Sequence, residues 1–124
     1  MILAEDIRAE VDGRFSIIGA IPYKITISKL EKTDSASTNL AAYAEIEGIK
    51  QASTVNVKIT DPDNKTIVEG HMPPPPAEDA EANKGFIIAG KFQNIIISKE
   101  GIHRFIVSID GKEYSKELLI KFSE

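Results

Sequence analysis

Apolar and polar residues alternate one by one along most of this chain, and a repeat of two is the signature of a β-strand with one buried face. Near the start, Leu3, Ile7, Ala9 and Val11 share one parity while Asp6, Arg8 and Glu10 share the other. A strand there buries the first set and exposes the second. Glu5 falls among the apolar positions, which predicts a frayed or edge position. Asp12-Gly13 then predicts a two-residue hairpin turn, since both central residues of a type I′ turn need positive φ. Phe15 to Ile21 is apolar on both parities, as for a strand covered on both faces or bent at Gly19.

The pattern continues after Pro22. Tyr23, Ile25 and Ile27 alternate with Lys24, Thr26 and Ser28, and Lys32 to Asn39 reads as a polar surface loop. Leu40 to Ile46 is alanine-rich, so propensity alone would allow a helix, but its alternation and the following Gly48 favour a strand. Val55, Val57 and Ile59 form another strand face, closed by the turn Asp61-Pro62-Asp63-Asn64. Thr66 to Glu69 predicts a short return strand. His71 to Lys84 loses all periodicity and carries four prolines, Pro73 to Pro76, followed by three acids in Ala77 to Ala82. Phe86, Ile88 and Phe92 resume the strand pattern. Gln93 and Asn94 interrupt it before Ile95 to Ile97. Phe105, Val107 and Ile109 face one way in the next strand, Asp110-Gly111 is a second hairpin signal, and Leu118, Ile120 and Phe122 end the series.

About nine strands with no 3.6-residue repeat between them predict an all-β fold. Strands without intervening helices imply antiparallel pairing. The expected architecture is an antiparallel two-sheet sandwich, immunoglobulin-like, forming a single domain over residues 1–124; a partly open β-barrel is the alternative. The paired cysteines and buried tryptophan of antibody domains are absent, because the chain has neither residue type.

The lack of cysteine excludes disulfides, thiolate catalysis and thiolate metal centres. It fits a reducing compartment, so a cytoplasmic, soluble protein is expected, with a virion as the alternative location. The opening residues lack the basic and apolar stretches of a secretion signal, and no apolar run approaches a membrane span. A net charge of −4 with scattered basic residues predicts neither nucleic-acid nor membrane partners.

The run from Ala4 to Gly19, with its Glu-Asp-Ile-Arg-Ala-Glu-Val stretch, glycine turn and Ser16-Ile17-Ile18-Gly19, resembles the N-terminus of a family of small bacterial and phage-associated proteins of unknown function. Leu40 to Gly48 with Val55 to Asp63, and Gly101 to Phe105 leading to Ile109-Asp110-Gly111, are similar to later parts of the same pattern. Glu100 and Phe105 depart from it, standing where proline and tyrosine are usual. Phe105 removes the hydroxyl of a tyrosine corner. The resemblance implies a β-sandwich and carries no activity.

Candidate sites are few. Asp6, Arg8 and Glu10, at spacing two, could form a polar interaction site or a charged, solvated strand face. Pro73, Pro74, Pro75 and Pro76 could dock in an aromatic groove, act as a stiff spacer or guard against edge pairing, and no neighbouring arginine supports docking. Asp61, Asp63 and Asn64 lack the further oxygen ligands of a calcium loop. Asn64-Lys65-Thr66 matches a short glycosylation pattern with no secretion signal to support it. His71 and His103 are expected at the surface or as caps rather than in a metal site or triad. No catalytic, metal or cofactor residue is expected. The chain reads as a non-enzymatic interaction or structural module, meeting a protein partner or assembling with itself. A virion decoration-type component is one alternative, and a small enzyme using surface carboxylates or His103 is another.

Overall fold

In a computed structural model, which describes residues 1–46, 55–72 and 86–123, the chain is built from strands. They are β1 (Ile2–Ala9), β2 (Phe15–Ile21), β3 (Lys24–Ser28), β4 (Ala36–Ile46), β5 (Val55–Thr60), β6 (Thr66–Met72), β7 (Phe86–Ile97), β8 (Gly101–Ile109) and β9 (Lys112–Ser123). One sheet has the order β2-β1-β4-β7, the other β3-β9-β8-β5-β6. The sheets do not close into a barrel. The run β9-β8-β5-β6 follows the G-F-C-C′ order of a variable-type immunoglobulin sheet, and β1-β4-β7 takes the places of A, B and E.

Alternation selects the core. Leu40, Ala42, Ala44 and Ile46 of β4 and Ile88, Ile95 and Ile97 of β7 face Val55, Val57 and Ile59 of β5, Phe105, Val107 and Ile109 of β8, and Leu118 and Ile120 of β9. The stretch from Leu40 that could have been helical is strand because its apolar residues at every second position meet this second sheet.

Several expectations are corrected. Pairing is not wholly antiparallel: β3 runs parallel to β9, with Ile25 opposite Ile120. Parallel neighbours need a long connection, and these two are separated by the whole stretch from Ser28 to Lys112. β4 starts at Ala36, inside the expected loop, because Lys29 bridges Ala36 across a tight turn. β6 continues through His71 to Met72. Pro73 to Pro76 and Gly48 lie outside the described residues.

Asp12-Gly13 is not a two-residue turn. Glu10 N–H donates to the Arg14 carbonyl at 2.7 Å, enclosing Val11-Asp12-Gly13, and only Gly13 of these has positive φ. That is the three-residue hairpin loop, which needs one left-handed residue. Asp110-Gly111 is the two-residue turn, with φ of 46° and 88° and Ile109 opposite Lys112. In the Asp61 turn, one Asp61 carboxylate oxygen accepts the N–H groups of Asp63 and Lys65, both at 2.9 Å, and Asn64 takes the left-handed conformation.

Gln93-Asn94 does not end a strand. It forms a bulge in a continuous β7: the register passes from Leu40 opposite Phe92 to Thr38 opposite Ile95. Asn94 has φ 56°, and its N–H donates to the Asn39 side-chain carbonyl at 2.8 Å.

His103 is the largest correction. It is 1% exposed and belongs to the inward parity of β8 with Phe105, Val107 and Ile109. Its Nδ1 lies 3.0 Å from the Gly101 carbonyl oxygen, an acceptor only, so Nδ1 carries the proton.

Candidate interaction site

β1 pairs with β4 only from Ile2–Tyr43 to Ala4–Ala41. Beyond that point β1 continues solely as a hairpin with β2, ending at Ala9 opposite Phe15. Were this hairpin straight, Ala9 would stand roughly 23 Å along the strand from Ile2, at ~3.3 Å per residue. Yet the Phe15 ring at its far end lies 5.6 Å from the ring of Tyr43, which pairs with Ile2 at its near end. The hairpin therefore bends and lies across the outer face of the four-stranded sheet. β1 and β7 have Cα atoms within 8 Å of one another although β4 runs between them. Ala4, Ile7 and Ala41 are buried without joining the main core, as expected for residues under such an arm.

The arm explains two misread residues. Ala9 and Val11 carry the parity of Leu3 but are exposed, because the strand leaves the core before reaching them. Val11 sits at the hairpin tip and is fully exposed.

The bend leaves part of β4 open. Ala41 is paired with Ala4, and Ala36 is bridged to Lys29. Between them, among the described residues, Ser37 to Leu40 have no strand partner on that side. Ser37, Thr38 and Asn39 border a crevice of about 420 Å³ also lined by Glu5, Asp6, Ile18, Lys91 and Gln93. Asp6 is the hub of its charges. Its Oδ1 accepts the Ile7 N–H at 2.9 Å and lies 3.3 Å from Lys91 Nζ, while Oδ2 lies 3.6 Å from Arg8 Nε. The Ile7 N–H first, then Lys91, hold the Asp6 carboxyl below its ordinary range.

Of the three charged residues singled out in sequence, Asp6 and Arg8 meet on β1. Glu10 lies past the strand end, where its carboxylate accepts from Ser16 Oγ at 2.7 Å. His71 is exposed on β6 opposite Asn56. His103 is inside the other sheet, so Asp6, Glu10 and His103 stand at three separate places. Asp61 is lowered chiefly by the Lys65 N–H, its oxygen already engaged with the backbone. Asp63 pairs with Lys99. Among the described residues no three His, Asp or Glu side chains gather as a metal centre would require.

Ser37, Asn39, Lys91 and Gln93 were not singled out from sequence. Two signals pointed to their neighbourhood: Glu5 breaking the apolar set of β1, and Gln93-Asn94 breaking β7. A smaller cavity of about 170 Å³ lies between the sheets, where Gly70 of β6 meets Phe92 of β7 beside Val57 and Phe105. It is a gap at the margin of the core rather than a polar site.

No curated protein and no solved structure matches this chain. Residues 1–120 match a protein family described as a family of unknown function (DUF6941). That span takes in every strand of the first sheet, the crevice, and all but the last residues of the second. The chain belongs to this family of unknown function.

Proposed function

We propose that this protein is a non-enzymatic interaction module that receives an extended segment of a protein partner along the open stretch of β4. The observation that carries this reading is the gap in pairing at Ser37 to Leu40, bordered by the polar crevice. A strand edge without a neighbour presents backbone N–H and C=O groups that an added strand satisfies. Asp6, Lys91, Asn39 and Gln93 around it offer donors and acceptors for the side chains of such a segment. The separation of Asp6, Glu10 and His103 supports binding over acid–base chemistry, which needs its groups within reach of one reacting atom.

A virion-associated assembly role ranks second. Symmetric assembly draws on broad apolar contact surfaces. Here the exposed isoleucines Ile2, Ile18, Ile87, Ile96 and Ile102 stand on four strands of two sheets.

Photo-crosslinking tests the interaction reading. A photoreactive residue replacing Ser37 should link to one contiguous partner segment in extract from the source cells, and the same residue replacing Glu113 on β9 should not. Equal labelling from both positions, or labelling from Glu113 alone, contradicts the reading.

A further inference from the structure

The β1–β4 register, Ile2 opposite Tyr43 and Ala4 opposite Ala41, has a continuation that the folded arm does not use. Extended straight, it sets Asp6 opposite Asn39 and Arg8 opposite Ser37, the open residues of β4. The arm thus carries, in register, residues that can close the stretch it leaves uncovered.

Glu5 opposes that continuation. Along a straight β1, Glu5 shares the parity of Leu3, which is fully buried in the core. An ionised carboxylate brought to that side without a partner is strongly disfavoured. In the folded arm Glu5 is exposed. It faces Gly19, where a Cβ would come within 2.7 Å of Glu5 Oε2. Gly19 has φ 67°, a conformation open to glycine and avoided by larger residues. Position 5 is also the only one between Leu3 and Ala9 without a ladder partner on β2. The elbow therefore consists of Glu5 and Gly19. Asp6 with Lys91 and Phe15 with Tyr43 hold the arm down beyond it.

We infer that the β1–β2 arm is a two-position gate on the open stretch of β4, and that Glu5 sets it in the folded position. In the second position the arm is straight and β1 itself occupies Ser37 to Asn39. The gate regulates the docking site of the proposed function and rests on that reading for its biological meaning. Its movement is a property of the chain alone.

The chain has no cysteine, so an introduced pair reports without ambiguity. Arg8→Cys with Ser37→Cys reports the straight arm by closing a disulfide, and a nuclear Overhauser cross-peak between the rings of Phe15 and Tyr43, both left in place, reports the folded one. With Glu5 in place, the cross-peak should be present and the cysteine pair should stay open under mild oxidation. Adding Glu5→Val should reverse this, with the cysteine pair closing at least about tenfold faster, a ratio equivalent to ~1.4 kcal/mol. A cooperatively folded Glu5→Val protein in which the cysteine pair stays open, or the ring cross-peak persists unchanged, overturns the gate. Should Glu5→Val not fold, Glu5→Gln removes the charge and is held to the same criteria. The two readings fail separately. Reversed trapping with no partner linked at Ser37 keeps the gate and ends the docking reading; unchanged trapping with a partner linked at Ser37 does the opposite.

Discussion

His103 shows what one side chain reveals when position and polarity disagree. Its parity with Phe105, Val107 and Ile109 was plain in the sequence, but its polarity argued for the surface. Burial follows the parity, since a β-strand cannot turn one side chain outward without shifting its neighbours. The cost of burial is limited because a neutral imidazole with Nδ1–H bonded to the Gly101 carbonyl is nearly satisfied. Burial holds the His103 pKa below its ordinary 6.5; the Gly101 carbonyl and the Asp61 charge oppose this in part. The unfolded chain then binds a proton that the folded chain resists, so stability falls as pH drops below about 6.5 and levels off below the folded pKa. Urea unfolding at about pH 5 and about pH 7.5 should show this loss, and His103→Leu should remove the part that His103 contributes. An equal decline in the variant would assign it to other groups.

At the scale of elements, the strands were legible because alternation is a local property, and their irregularities were legible only as interruptions. Gln93-Asn94 reads in sequence as a break. Whether a break ends a strand or bulges it depends on the partner, and Asn39, which supplies the carbonyl for Asn94 N–H, lies 55 positions away. Replacing Asn39 by Ala leaves that N–H without its acceptor. The expected loss is ~1 kcal/mol, read as a lower denaturation midpoint with an unchanged denaturant slope. Asn94→Gly, which suits the left-handed backbone, should cost less than Asn39→Ala. The reverse order would mean that the bulge is held by something other than this bond. Glu5 is a second interruption of the same kind. Its charge among apolar positions announced an edge, and the structure makes it an elbow; the direction of the bend depends on Tyr43 and Lys91, remote in sequence.

For the whole molecule, the two-layer sandwich follows from strand number and parity, and the main core is composed of the residues that alternation selects. The parallel β3–β9 pair was not legible, because it joins strands from opposite ends of the chain and no turn signal connects them. Nor was the folded arm, whose evidence is a contact between residues that strand geometry alone would hold far apart. The arm exposes part of β4, creates the crevice around Asp6, and makes β4 a site that another strand can complete. Everything proposed about function depends on its lying across the sheet. Nuclear Overhauser measurements between the ring protons of Phe15 and Tyr43 test this most directly. Cross-peaks between those rings, whose centroids lie 5.6 Å apart, are the predicted result. Their absence, together with cross-peaks joining Arg8 to Ser37, would show a straight β1 and contradict the account.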